Sequence, residues 1–209
     1  MVSVSTPEKP SVAADPQHSD YIRRLPNIVT TIRLGLAFVL FWAIGSSQWP
    51  TALFVFLAAA ASDWLDGYLA RRCQASSPLG RMYDPLVDKI LIVGAFVYLL
   101  NLPNSPLPGG SGWTPVMVVV LVAREFLVTG VRAYLEERGV QFGADWLGKS
   151  KMVAQSAALG WILAAFWMAQ QSAAPSWAGS LRDFLNWLAV GLTAASGIQY
   201  LWVARRHLM

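Results

Sequence analysis

The chain has 209 residues, of which 55% are hydrophobic and only 13% are charged, and its formal net charge is +4. A soluble domain of this size needs more charged residues to cover its surface, so the composition argues against one. The positive charge does not call for nucleic acid as a partner, because excess Lys and Arg in a membrane protein reflects orientation in the bilayer and attraction to anionic lipid. The composition therefore favours a polytopic membrane protein.

Polar residues fill the first part of the chain, and apolar segments fill most of the rest. Residues 1–20 lack the basic start and apolar core of a signal peptide, so we expect a disordered tail there and one membrane domain over 21–209. The stretch SDYIRRLPNIVT predicts a short interfacial helix whose arginines meet lipid headgroups. Six apolar segments then follow, at about 28–46, 50–72, 84–103, 114–136, 149–171 and 183–204. The predicted fold is all-α, with six transmembrane helices.

Basic residues predict how these helices are oriented. If the N-terminus lies inside, the three outer loops together hold only Arg182. The inner ends hold Arg23, Arg24, Arg33, Arg71, Arg72, Arg81, Lys89, Arg124, Arg132, Arg138, Lys149, Lys151, Arg205 and Arg206. We therefore expect both termini in the cytoplasm, in a multi-pass protein of the cell (inner or plasma) membrane. Trp49, Trp113 and Trp177 lie at segment boundaries, where an interfacial aromatic belt would place them.

Four aspartates stand near the adjoining ends of the second and third segments. Asp63 and Asp66 are three residues apart, and Asp84 and Asp88 are four apart, so each pair shares one face of a helix. A short loop joins the two segments, which makes the helices antiparallel neighbours and lets the four carboxylates converge. The alternative is that some of them are surface acids paired with nearby arginines or with Lys89.

A bound cation explains the four acids better than surface pairing does. Each intramembrane charge costs about 3 kcal/mol on insertion scales. Four such charges on facing helices therefore require a compensating cation or a function. Clustered carboxylates suit Mg²⁺ or Mn²⁺, whereas zinc prefers His and Cys, and both histidines, His18 and His207, lie near the chain ends. Small residues between the acids permit tight helix packing, and beside a metal they also let a ligand approach the backbone. A metal together with the forked donors of Arg71 describes a diphosphate site.

These residues form one pattern: Asp63-x-x-Asp66-Gly67-x-x-Ala70-Arg71, eight residues, Gly80-x-x-x-Asp84-x-x-x-Asp88. The pattern resembles the signature of the CDP-alcohol phosphatidyltransferases at every fixed position, and the resemblance covers the chain from about Tyr21 to its end. The family implies attack of an alcohol on the β-phosphate of CDP-diacylglycerol, with release of CMP, by a homodimer.

The resemblance also implies roles for individual residues. Asp63, Asp66 and Asp84 would hold two Mg²⁺ or Mn²⁺ ions, and Asp88 would be a further metal contact and the general base. CDP-diacylglycerol would be bound by Asn27, Thr30, Gly67, Ala70, Arg71, Ser77 and Gly80.

Three further segments bear on the acceptor alcohol. LPNIVTTIRL, AREFLVTGVRAYLEERG and LGKSKMVAQ look like those of the phosphatidylglycerophosphate synthases within the family, except that Met152 stands where a small polar residue is usual. The resemblance implies glycerol 3-phosphate as acceptor, with its phosphate bound by Arg33, Arg124, Arg132, Lys149 and Lys151. The positive-inside rule alone accounts for basic loop residues but not for Arg124, which lies with Glu125 inside an apolar segment. The alternative is that Arg124 and Glu125 pair with each other's neighbours in the helix bundle.

Other functions remain to be weighed. A member of the same family could use another acceptor: phosphatidylglycerol (a cardiolipin synthase), inositol phosphate (a phosphatidylinositol phosphate synthase) or serine. A cation-coupled transporter would place its acids near mid-membrane and interrupt helices in both halves of the chain, whereas these four acids lie at one face in one half. A membrane scaffold would need no clustered acids.

Overall fold

The computed structural model of the protein describes residues 16–73, 78–100, 102, 105–139 and 146–208, with side chains over 30–62, 86–100, 102, 105–139 and 146–205. These residues contain no strand. They form six helices: α1 (Pro16–Gly45), α2 (Trp49–Cys73), α3 (Pro78–Leu100), α4 (Pro115–Glu137), α5 (Trp146–Gln170) and α6 (Ala178–Leu208). Each helix covers most or all of one predicted apolar segment, so the all-α prediction is confirmed.

The start of α1 differs from the sequence-based expectation. The stretch SDYIRRLPNIVT was expected to form a short separate helix, but it lies within the 30 residues of α1. A proline removes one backbone hydrogen bond, and here the helix continues on both sides of Pro26. Residues 1–15, most of the predicted tail, lie outside the described residues.

Helix α5 lies at the centre of the bundle, against α2 and α6, while α1 packs on α2 and α3, and α4 packs on α6. Its apolar residues Leu159, Ile162 and Phe166 are fully buried. Among the described residues α1 packs against both α2 and α3, and α2 and α3 make no close contact with each other. The expectation that α2 and α3 are neighbours concerns their adjoining ends, whose side chains lie outside the described residues, and it stays a prediction.

Large apolar side chains also cover the outside of the bundle. Phe38, Trp42, Phe54, Phe126 and Trp187 are each more than 60% exposed. A water-soluble surface rarely carries so many exposed aromatic side chains. Two helical segments among the described residues, 146–170 and 178–205, are long and apolar enough to cross a membrane.

Two of the three tryptophans expected in an interfacial belt instead pack inside the protein. Trp49 and Trp113 are 2% and 5% exposed, and only Trp177 is exposed. The ring of Trp113 stacks on Phe96 at a centroid distance of 3.9 Å. The loop before Trp113 is held against the bundle by Arg182, whose Nη1 donates to the carbonyl oxygens of residues 108 and 110 at 2.8 and 2.6 Å. The one basic residue expected in the outer loops therefore closes a loop over the bundle.

Candidate active site

Asp88, the last aspartate of the sequence pattern, lies on α3 opposite an arginine of α1. Nη1 of Arg33 donates to Oδ1 of Asp88 at 2.8 Å, and their side chains are 3% and 29% exposed. A hydrogen bond between two charged groups in a partly buried place is strong and directional. Arg33 therefore orients the Asp88 carboxylate. The sequence assigned Arg33 to the acceptor phosphate, but its described contact is with the predicted base.

The other predicted metal and nucleotide residues are known only by their place in the helices. Asp63 and Asp66 lie towards the end of α2, and Asp84 lies near the start of α3, as the sequence predicted. Ser77 lies outside the described residues, and so do the side chains of Asn27, Asp63, Asp66, Gly67, Ala70, Arg71, Gly80 and Asp84. Thr30, the remaining nucleotide candidate, is buried on α1. Their roles stay predictions.

Asp88 is the member of the predicted metal site whose side chain the structure describes. Among the described side chains, no group of three or more His, Cys, Asp or Glu residues could hold a metal ion. Asp88 supplies a carboxylate, which is the kind of hard oxygen donor that Mg²⁺ and Mn²⁺ prefer, and it is partly open to its surroundings. The chemistry of this one described ligand fits the predicted ion.

A second charged cluster is built around Glu125 of α4, whose side chain is only 11% exposed. One of its oxygens, Oε1, forms an ion pair with Lys151 of α5 and lies 3.3 Å from Nη1 of Arg124. The other, Oε2, lies 4.0 Å from Nζ of Lys89 on α3. Lys89 also donates to the hydroxyl of Thr129 at 2.5 Å. Three basic side chains therefore surround this one carboxylate.

A cavity of about 250 Å³ between α3, α4 and α5 joins the two charged groups. Asp88, Lys89, Glu125 and Lys151 contribute its charged lining. Part of the remaining lining is apolar and comes from Ile92, Val93 and Leu121. The cavity therefore brings a carboxylate and a buried ammonium group to one small space with an apolar wall, which can hold a small molecule that carries both an anionic group and a short carbon chain.

Of the five residues predicted to bind the acceptor phosphate, only Lys151 lines this cavity. Arg124 donates from Nη2 to Ser196 at 2.5 Å and pairs with Glu125, so pairing within the bundle is confirmed for it. Arg132 is exposed, with its guanidinium 5.9 Å from the centre of the Tyr200 ring. Lys149 is exposed.

Sequence reasoning did not assign four polar residues of the cavity to the site: Lys89, Glu125, Gln155 and Ser156. Two signals in the sequence could have found some of them. Lys89 directly follows Asp88, and Gln155 follows Lys151 by four residues, which places both side chains on one face of α5. The same rule separates Lys149 from Lys151, because residues two apart differ by about 200° around a helix.

Comparison with known proteins identifies the family. The model of the CDP-alcohol phosphatidyltransferase family matches residues 23–195, which include all or part of every helix and the whole cavity lining. The chain belongs to the CDP-alcohol phosphatidyltransferase family. The resemblance read from the aspartate pattern is thereby confirmed. This phosphatidyltransferase belongs to a group of enzymes that transfer a phosphatidyl group from a CDP-alcohol and that generally depend on a metal ion.

Similar proteins of this family occur in enteric bacteria. Three of them come from Shigella flexneri serotype 5b, Shigella boydii serotype 4 and Escherichia coli. Each is 32% identical to this phosphatidyltransferase over 190 residues, which cover 88% of this chain and 97% of the other. All three are named CDP-diacylglycerol–glycerol-3-phosphate 3-phosphatidyltransferase.

Proposed function

We propose that the protein transfers a phosphatidyl group from CDP-diacylglycerol to glycerol 3-phosphate, giving phosphatidylglycerophosphate and CMP. The observation that carries the proposal is the cavity that Asp88 and the buried Lys151 line together. A phosphorylated alcohol needs both groups, because one binds its phosphate and the other takes the proton of its attacking hydroxyl. The names of the similar bacterial proteins supply the same acceptor.

In the proposed reaction Lys151, supported by Lys89, binds the acceptor phosphate and leaves a hydroxyl facing Asp88. The hydroxyl oxygen attacks the β-phosphorus of CDP-diacylglycerol as Asp88 accepts its proton. The bond between that phosphorus and the oxygen of CMP breaks, and CMP leaves. Arg33 keeps the Asp88 carboxylate in place during this transfer.

Two Mg²⁺ or Mn²⁺ ions would be held by Asp63, Asp66, Asp84 and Asp88. When bound, the ions would neutralise the negative charge of the diphosphate. The nucleotide contacts remain those that the family pattern implies, at Asn27, Thr30, Gly67, Ala70, Arg71, Ser77 and Gly80. Arg124, Arg132 and Lys149 are better explained by their pairing or exposure than by contact with the acceptor.

The size of the cavity supports a small acceptor such as glycerol 3-phosphate. Its volume of about 250 Å³ lies below the roughly 300–1,000 Å³ of pockets that take drug-sized molecules.

We infer further that all six helices span the membrane, with both termini and the active site facing the cytoplasm. The shortest helices have 23 residues, and at about 1.5 Å per residue this exceeds the roughly 30 Å of the hydrocarbon core. The exposed aromatic side chains of α1, α2, α4 and α6 support contact with lipid. We also propose that the protein forms a homodimer, and this part of the proposal rests on the resemblance to the family alone.

The experiment that tests the function measures CMP release by the purified protein with CDP-diacylglycerol and one acceptor at a time. Glycerol 3-phosphate, inositol phosphate, phosphatidylglycerol and serine are supplied separately, and Asp88→Asn serves as the inactive control. We expect CMP release with glycerol 3-phosphate and none from the control. Release that follows only phosphatidylglycerol would refute the proposal.

A further inference from the structure

Gln155 is a polar residue at the centre of the bundle for which the reaction described above has no use. It is 4% exposed and lines the cavity, four residues along α5 from Lys151. Residues four apart on a helix project from the same face, so Gln155 lies one turn deeper in the bundle than the ammonium group. A buried amide is costly unless its polar atoms find partners.

The hydrogen bonds around Gln155 determine which way its amide points. Nε2 of Gln155 donates to the hydroxyl of Thr193 at 2.8 Å. That hydroxyl in turn donates a hydrogen bond to the carbonyl oxygen of Ala189 at 2.6 Å. Thr193 can therefore only accept from Gln155, which requires the amide nitrogen, and not the oxygen, to face α6.

The carbonyl oxygen of Gln155 is consequently directed away from Thr193. Among the described residues no donor forms a hydrogen bond with this oxygen. Because Gln155 also lines the cavity, the oxygen offers an acceptor for a hydroxyl group placed there. Ile92, Val93 and Leu121 of the same lining offer contact to carbon atoms but no hydrogen bond.

We propose that Gln155 determines specificity by accepting a hydrogen bond from the hydroxyl of the acceptor that does not attack. The inference rests on the proposed function, because it concerns the alcohol that the cavity binds. Glycerol 3-phosphate has a phosphate and two hydroxyls. Lys151 binds the phosphate, Asp88 receives the attacking hydroxyl, and Gln155 recognises the other one. An acceptor without that hydroxyl leaves the carbonyl oxygen of Gln155 without a partner, and polar sites of this kind reject such analogues strongly.

The test compares glycerol 3-phosphate with 3-hydroxypropyl phosphate, which keeps the phosphate and the terminal hydroxyl but lacks the hydroxyl between them. We expect the wild-type protein to prefer glycerol 3-phosphate by roughly tenfold to a hundredfold in kcat/KM. In Gln155→Met, which keeps the length of the side chain but has no amide, the preference should fall to within about threefold. Gln170→Met is the matched control, since Gln170 is exposed at the far end of the same helix and should keep the wild-type preference.

Thr193→Val provides a second variant, which leaves Gln155 intact but removes the hydroxyl that orients its amide. It should lower the preference at least about threefold and leave the KM for CDP-diacylglycerol unchanged. Thermal unfolding and gel filtration show whether Gln155→Met folds. If it does not, the acceptor preference of Thr193→Val is the test of the assignment.

Equal losses with both acceptors in a folded variant, or an unchanged preference in both variants, would overturn the assignment while leaving the proposed function standing. Failure of the wild-type protein to use either acceptor would overturn both.

Discussion

Lys149 and Lys151 are two basic residues of the same helix, and replacing each by methionine should have very different effects. Lys151 is 4% exposed, lines the cavity and forms an ion pair with Glu125, whereas Lys149 is exposed. A hydrogen bond to a charged group contributes about 1.5–3 kcal/mol, which corresponds to a loss of roughly 10- to 150-fold in kcat/KM. We expect a loss of this size for Lys151→Met, mainly through a raised KM for glycerol 3-phosphate, and less than about threefold for Lys149→Met.

Lys151→Met should lower the free energy of unfolding only moderately. Removal of one partner of a buried ion pair costs about 3–5 kcal/mol when the other charge is left alone. Glu125 keeps Arg124 at 3.3 Å and Lys89 at 4.0 Å, so we expect a smaller cost of about 1–2 kcal/mol for Lys151→Met. Thermal unfolding of the purified variants measures this difference.

Initial rates are measured at varied glycerol 3-phosphate with saturating CDP-diacylglycerol, and then at varied CDP-diacylglycerol with saturating glycerol 3-phosphate. The two series give a separate KM for each substrate. The KM for CDP-diacylglycerol should stay within about twofold of the wild-type value, because the proposal assigns Lys151 to the acceptor and not to CDP-diacylglycerol. If Lys149→Met is as damaging as Lys151→Met, or if Lys151→Met raises the KM for CDP-diacylglycerol instead, the assignment of the cavity to the acceptor is wrong.

Three further outcomes follow from other parts of the structure. Arg33→Met should lower kcat by about 10- to 100-fold and leave the KM for glycerol 3-phosphate within about threefold, because Asp88 loses the group that orients it; steady-state rates check this. Removal of divalent ions with a chelator should abolish CMP release, and added Mg²⁺ should restore it, whereas activity that survives chelation would exclude an essential metal. Gly94→Ala should lower the unfolding temperature through overpacking of about 1–3 kcal/mol, since the added Cβ would lie 2.3 Å from the Phe41 ring, while Gly130→Ala meets nothing within 4 Å and should not.

The helices could be predicted from the sequence because the signal is strong over a long stretch. A run of about 20 apolar residues between loops with Gly and Pro leaves few alternatives to a helix. The family could be predicted for a different reason, since its aspartates and small residues occupy fixed spacings within one short segment. Both signals are local in the chain, so a single sequence contains them completely.

The arrangement of the cavity could not be predicted in the same way, because it depends on contacts between distant segments. Arg33 and Asp88 are 55 residues apart, and the sequence contains nothing that pairs them. The spacing from Lys151 places Gln155 on the same face of α5, but the direction of its amide is known only once Thr193 of another helix is seen to accept from it. Trp113 resembles an interfacial residue in the sequence, and its burial follows from the way that Arg182 closes the preceding loop.

The central claim is that glycerol 3-phosphate accepts the phosphatidyl group, and the fate of labelled acceptor tests it most directly. Purified protein is incubated with CDP-diacylglycerol and ¹³C-labelled glycerol 3-phosphate, and the lipid extract is analysed by mass spectrometry. The account predicts labelled phosphatidylglycerophosphate in amounts equal to the CMP released, and none with Asp88→Asn. CMP release while all of the label stays in the aqueous phase would contradict it.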